Sequence, residues 1–140
     1  MAYKVILVGT GGQGRAWCQR FLPPNVADGL IEVVAAVDVN EAALVNAQEA
    51  LGVPAAKCYT DMARAFDETP ADFCVIVTPP AFHEAVVDVA LAHDMHILSE
   101  KPIADTLDGA VRIAEKVKRA GKKMGVTMSH RFDQDKTTLR

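Results

Sequence analysis

The stretch Tyr3 to Gly14, YKVILVGTGGQG, constrains the fold of this chain more than any other. Tyr3 to Val8 is a short run rich in Val, Ile and Leu, as in a buried strand. Gly9-Thr10-Gly11-Gly12-Gln13-Gly14 follows at once, and a helical pattern begins near Arg15. Strand, tight glycine turn and helix stand in the order that a phosphate site needs. Gly9 can take a backbone conformation that residues with a β-carbon resist. Gly11 leaves room for a diphosphate to approach the main chain, and Gly14 lets helix and strand pack closely. The free N–H groups of the helix's first turn then point at the place an anion would occupy. The G-x-G-x-x-G spacing alone fits a plain tight turn as well. Its strand and helix give it the context of a nucleotide-diphosphate site.

Strand and helix patterns alternate along the rest of the chain. Gln13 to Leu22 reads as a helix with Ala16, Trp17, Phe21 and Leu22 inward, stopped by Pro23-Pro24. Ile31 to Val37 is a nearly continuous apolar run, as expected for a strand covered on both faces. Asn40 is placed to cap a helix over Glu41 to Leu51, and Gly52 to end it. Lys57 to Tyr59 reads as a short strand, and Asp61 as the cap of Met62 to Asp67. Asp72 to Val77 is a further buried strand ended by Thr78-Pro79-Pro80. Ala81 to His93 is helical, with an apolar stripe of Phe82, Val86, Val89 and Ala90. His96 to Leu98 is a strand that runs into Ser99-Glu100-Lys101-Pro102. Thr106 caps Leu107 to Ala120, with Leu107, Ala110, Ala114 and Val117 inward, and Lys123 to Met128 is a last strand. Strands separated by helices imply parallel pairing through crossover connections, an α/β doubly wound, mostly parallel sheet (Rossmann-like). Such sheets bind ligands at the carboxyl ends of their strands.

Charge and composition exclude several other classes. The formal net charge of −3 offers no general attraction to nucleic acid or to an anionic membrane surface. No apolar run approaches the roughly 18 residues of a membrane span. Cys18, Cys58 and Cys74 are odd in number, widely spaced and without a C-x-x-C pair. That spacing argues against a metal or disulfide framework and for buried thiols in a reducing cytoplasm.

The remaining chemistry collects at the strand ends. Asp38 lies 24 residues after Gly14, at the end of the second strand. A carboxylate there accepts hydrogen bonds from the hydroxyls of an adenosine ribose and repels a 2′-phosphate. No Arg or Lys lies between Val39 and Leu51 to neutralise such a phosphate, which favours NAD over NADP. Arg15, in the first helical turn, leaves NADP open. Thr78-Pro79-Pro80 forms a rigid wall suited to flat rings. For His83, facing the cleft and lying exposed at a helix terminus are equally open. Glu100-Lys101-Pro102 reads either as a surface ion pair beside a turn or as a catalytic corner. In the second reading Lys101 stabilises negative charge on a reacting oxygen, and Glu100 orients it.

These residues resemble the Gfo/Idh/MocA family, the glucose-fructose oxidoreductase, inositol dehydrogenase and rhizopine-catabolism group. The match is carried by Gly9 to Gly14, Asp38, Thr78-Pro79-Pro80 with His83, and His96 to Pro102. Met128 to Phe132 also resembles a strand-end segment of the family. The resemblance implies an NAD(P)-dependent oxidoreductase that acts on a sugar, polyol or similar small molecule. It also implies a homo-oligomer for the full-length protein. It implies that Lys101 contacts the reacting oxygen beside the nicotinamide and that Lys101-Pro102 is a cis peptide bond. The candidate catalytic residues are therefore Lys101 and Glu100. The candidate cofactor-binding residues are Gly9, Gly11, Gly12, Gln13, Gly14, Asp38, Thr78, Pro79, Pro80, His83, Glu100 and Lys101, and no metal site is expected.

Family members continue into a second, substrate-binding domain that usually supplies the proton-transfer histidine. Residues 1–130 are expected to form the dinucleotide-binding domain, and 131–140 to begin the connection to that second domain. His130, at a strand end, does not fill the proton-transfer role on spacing. The expectation is a chain that binds NAD without turning over. Two other readings stand beside it. One is a stand-alone NAD-binding redox sensor or scaffold, for which Glu100 to Pro102 has no purpose. The other is a doubly wound methyltransferase, which leaves the same three residues unexplained.

Overall fold

Six strands pair in parallel to form one sheet in the computed structural model, which describes residues 1–128. They are β1 (Tyr3–Val8), β2 (Ile31–Val37), β3 (Cys58–Tyr59), β4 (Phe73–Ile76), β5 (His96–Ser99) and β6 (Met124–Val126). Their order in the sheet is β3-β2-β1-β4-β5-β6. The chain therefore winds outward from β1 in both directions, and the loops after β1 and β4 part from one another. That divergence opens a crevice at the carboxyl ends of the two strands.

The two-residue alternation of the strands sorts the core into two layers. Val5, Leu7, Val33, Ala36 and Val75 face one side and pack with Trp17, Cys18, Leu22, Leu44 and Ala47. Ile6, Val8, Ala35, Val37 and Ile76 face the other and pack with Phe66, Val86, Val87, Ala90 and Ile113. Both faces of the central strands are covered, which is why these strands read as unbroken apolar runs.

The first helical passage departs from expectation. α1 (Gln13–Ala16) passes through a π-helical turn (Trp17–Phe21) into α2 (Leu22–Ala27), so Pro23 and Pro24 do not stop it. They lie in the first turn of α2, where a missing N–H costs least. The wider turn before them absorbs the break in the hydrogen-bond ladder.

Most caps fall where expected. Asn40 accepts from the Ala42 N–H, Asp61 from Arg64 and Thr106 from Gly109. The helix after Asn40 begins as a 3₁₀ turn (Glu41–Leu44) and continues as α3 (Val45–Leu51), closed by Gly52 at φ 68°. α4 spans Met62–Glu68.

The inward faces of the last two helices are shifted from those expected. A 3₁₀ turn (Pro80–Phe82) precedes α5 (His83–Ala92) and sets its phase, so His83, Val86, Val87 and Ala90 are buried while Phe82 is exposed. In α6 (Leu107–Arg119) the inner residues are Gly109, Ile113 and Val117, and Leu107 is 79% exposed. A β-carbon on Gly109 would lie 3.2 Å from that of Ala104, so the glycine permits the close approach that selects this face. On the outer side Glu84 binds Arg112 (2.8 Å) and Lys116 (2.9 Å), and Lys116 also binds Asp88 (2.7 Å). These ion pairs tie α5 to α6.

Candidate functional site

Strand pairing brings the expected site residues to one edge. Val8 pairs with both Val37 and Ile76, and Ile76 pairs with Ser99. The loops that follow these strands carry Gly9 to Gly14, Asp38, Thr78 to Pro80 and Glu100 to Pro102. They leave the sheet side by side.

A cavity of about 590 Å³ lies at this edge. Gly9, Gly11, Gly12 and Gln13 line it from the glycine turn, Asp38 and Val39 from the loop after β2, and Val77 to Pro79 from the loop after β4. Thr60 and Met62 close one end, with Phe82, Ala85 and Val86 from the start of α5. Among the described residues that line it, Asp38 is the only charged side chain. No arginine or lysine among the described residues lines the cavity to receive a 2′-phosphate.

The glycine turn is shaped by close approach. Gly9 has φ 94°, and a β-carbon on it would sit 2.7 Å from the Val77 carbonyl oxygen. A β-carbon on Gly14 would collide with the Gly9 carbonyl, so helix and strand meet only because this residue is glycine. The Gly9 N–H donates to Val37 (2.8 Å) and the Gly14 N–H to Gly11 (2.7 Å). The N–H groups of Gly12 and Gln13 have no partner among the described residues. Gly12 borders open space.

Asp38 grips this turn. Its Oδ2 accepts from the Thr10 N–H (2.8 Å), the Gly11 N–H (3.0 Å) and the Thr10 hydroxyl (3.3 Å), and its Oδ1 from the Asn40 N–H (2.9 Å). The acid and the turn form one unit.

The other side of the crevice is held differently. Lys101-Pro102 is cis, as the family resemblance implied. Glu100 does not bind the Lys101 ammonium. Its Oε1 accepts from the Trp17 indole N–H (2.9 Å), and its Oε2 from the Lys101 backbone N–H (3.1 Å). The carboxylate thus orients the Lys101 backbone, while the Lys101 side chain is exposed.

His83 meets neither expectation. It is fully buried and does not line the cavity. Its Nε2–H donates to the Thr78 carbonyl (2.8 Å). Its Nδ1 lies 3.3 Å from both the Ser99 hydroxyl and the Ile103 carbonyl oxygen. The ring fastens the loop after β4 to the loop after β5, because the 3₁₀ turn ahead of α5 rotates it inward. Gly14, Pro80, Glu100 and Lys101 also lie outside the cavity lining. Ser129, His130 and Arg131, and most of Met128 to Phe132, lie outside the described residues.

The protein's own atoms suit this arrangement to a nucleotide. The Thr78 hydroxyl is buried at the cavity wall without a partner among the described residues. The two free N–H groups of the glycine turn and the space beside Gly12 complete an anion cradle. Cysteine chemistry is remote from it. Burial pushes the Cys18 thiol up to about 11 and the Cys74 thiol up to about 12, so both stay protonated at neutral pH. Among the described residues no group of three or more His, Cys, Asp or Glu could hold a metal.

Fold and site together define a dinucleotide-binding α/β domain with a switch-point crevice. The chain belongs to the Gfo/Idh/MocA oxidoreductase family, whose NAD-binding Rossmann-fold model matches residues 3–128. Protein y4oX of Sinorhizobium fredii is 61% identical over the whole chain, which covers 39% of that protein. The inositol 2-dehydrogenase/D-chiro-inositol 3-dehydrogenase of Lacticaseibacillus casei is 38% identical over 96% of this chain and 38% of its own length. The crystal structure of myo-inositol dehydrogenase from Lactobacillus casei, in complex with NAD(H) and myo-inositol, superposes with a TM-score of 0.83. It is 37% identical, with 99% of this chain and 40% of that chain covered. The chain thus spans about two fifths of the relatives it matches.

Trp17, Phe82 and Met62 contribute to the site or its walls without having been singled out for it. Trp17 and Phe82 read as core by period, and Met62 as the first residue of a short helix. The polar handle of a tryptophan beside the glycine turn was the one available signal, since a buried indole N–H needs a partner.

Proposed function

We propose that this chain is the cofactor-binding part of an NAD-dependent oxidoreductase. Its reaction moves a hydride between nicotinamide and a carbon bearing a hydroxyl or carbonyl in an inositol, sugar or related polyol. The observation that carries the reading is the bond from Trp17 to Glu100. It fastens the segment that carries Lys101 to the helical passage that leaves the glycine turn, which supports a role for that lysine next to a bound nucleotide.

In this reading the Gly12 and Gln13 N–H groups receive the diphosphate, and the Asp38 carboxylate accepts from the adenosine ribose. The Thr78 hydroxyl finds its partner on the bound nucleotide. Bound NAD supplies the hydride chemistry. Lys101 donates to the reacting substrate oxygen and stabilises the negative charge that develops there. Glu100 holds the Lys101 backbone, and His83 holds the two loops that flank the crevice. In this reading the described residues are assigned the binding of NAD, and none of them is assigned the proton transfer. Free Cys18, Cys58 and Cys74 support a reducing, cytoplasmic setting. No helix among the described residues is long and apolar enough to cross a membrane.

Lys101→Ala in the full-length protein tests the assignment. Turnover should fall by about 100- to 1000-fold, the usual effect of removing one oxyanion donor. The KM for NAD should change by no more than about twofold, since the lysine acts on substrate rather than on cofactor. Unchanged turnover would remove Lys101 from the mechanism.

A further inference from the structure

The span Gly9-Thr10-Gly11-Gly12 is three glycines around one threonine. Glycines lose more conformational freedom on ordering than any other residue, so a turn built from them needs an external restraint if it is to stand preformed for a ligand. Thr10 is the only residue of the four with a side chain, and it is fully buried. All three of its polar groups are engaged from the loop after β2 and the first turn of α3. Its N–H and hydroxyl are taken by Asp38. Its carbonyl oxygen accepts from Asn46 Nδ2 at 3.0 Å, and the same amide donates to the Ala43 carbonyl at 3.1 Å. Asn46 stands in the first turn of α3 and lines no part of the cavity.

We infer that Asn46 is a positioning residue for the diphosphate turn. It holds Thr10 from behind while Asp38 holds it from the front, and the pair keeps the Gly11 and Gly12 backbone ready for the ligand. A bonded Thr10 carbonyl cannot swing away without leaving a buried acceptor unpaired and the Asn46 amide with Ala43 alone, which makes loosening of the turn costly. Preorganisation of this kind raises affinity by lowering what the ligand must order. The effect belongs to ligands that carry a diphosphate and not to the nucleoside end alone. The inference rests on the NAD-binding reading of the same crevice.

Asn46→Ala, and the nearly isosteric Asn46→Leu in case the smaller side chain disturbs packing, are the variants to compare with the unaltered chain. Calorimetry should show ADP-ribose affinity reduced by roughly tenfold, the weight of one lost hydrogen bond. Affinity for adenosine, which has the ribose but no diphosphate, should stay within about twofold of the original because no adenosine contact is lost. Without ligand, the Thr10 and Gly11 amides should exchange with solvent about tenfold faster, a local opening that leaves the Val5 to Val8 amides unchanged. Unchanged exchange and unchanged ADP-ribose affinity in both variants would overturn the inference. So would an equal loss of ADP-ribose and adenosine affinity. Failure of the unaltered chain to bind ADP-ribose would count against the NAD-binding reading instead, and the exchange rates would still decide whether Asn46 restrains the turn.

Discussion

The two sides of the crevice are held by opposite means. On the β1–β2 side the functional groups themselves carry the bonding. Asp38, the proposed ribose acceptor, is already bonded to the turn that would hold the diphosphate. On the β4–β5 side the bonding is confined to supports. Trp17, Glu100, His83 and Ser99 fix the backbone, while the Lys101 side chain stands exposed. The proposed nucleotide contacts of the first side are thus bonded to one another. The second leaves exposed the Lys101 side chain, the group that the proposed function sets against the reacting oxygen. In the proposed function, binding and reaction divide along the line where β1 and β4 part.

This contrast can be broken most forcefully at Gly14. Gly14→Val places side-chain atoms against the Gly9 carbonyl. Chemical denaturation should show a loss of about 3 kcal/mol, the upper range for overpacking, with NAD binding abolished. A stable variant that still binds would mean the turn yields more readily than its geometry implies.

A smaller effect sharpens the other side. Trp17→Phe keeps the ring that packs on Phe21 but removes the donor to Glu100. Stability should drop by about 1 to 2 kcal/mol, as expected for one hydrogen bond to a charged acceptor. In the full-length protein turnover should fall more than NAD affinity does, because Lys101 loses its support while the cradle is intact. Equal losses in both would mean that Trp17 serves only packing.

The smallest expected effect lies outside the crevice and acts as a control. Arg112 and Lys116 hold the Glu84 carboxyl down to about 2, from an ordinary value of 4.5. A carboxyl whose folded value is lowered adds stability above its unfolded value and loses it as pH falls toward the folded one. The stability gap between the original chain and Glu84→Gln should therefore be full above about pH 5 and close between about pH 4.5 and 2. NAD binding at neutral pH should not change, since the α5–α6 ion pairs do not touch the cavity. A gap that persisted at pH 2 would show that the pairing is not what Glu84 contributes.

Legibility followed sequence distance. The glycine turn, the strand-end position of Asp38 and the caps at Asn40, Asp61 and Thr106 were readable because each depends on residues within a few positions. The parallel pairing of the strands followed from alternation and the crossover rule. The partnership of Trp17 with Glu100 was not readable, because the two are 83 positions apart and either could have met water. His83 was misplaced because three residues of 3₁₀ turn set the phase of α5, and that turn has no strong signature. Pro23 and Pro24 misled for a related reason, since the π-helical turn that admits them leaves no pattern in the residues. On α6 the large apolar side chain of Leu107 pointed to the wrong face, and the small Gly109 marked the right one.

The central claim is that this chain alone holds a complete cradle for NAD, with Asp38 as both its clasp and its filter against a 2′-phosphate. Calorimetric titration of the 140-residue chain with NAD and NADP tests it most directly. The account predicts saturable binding of NAD and binding of NADP at least about tenfold weaker, as an unneutralised carboxylate facing a phosphate requires. No binding of NAD, or tighter binding of NADP, would contradict it.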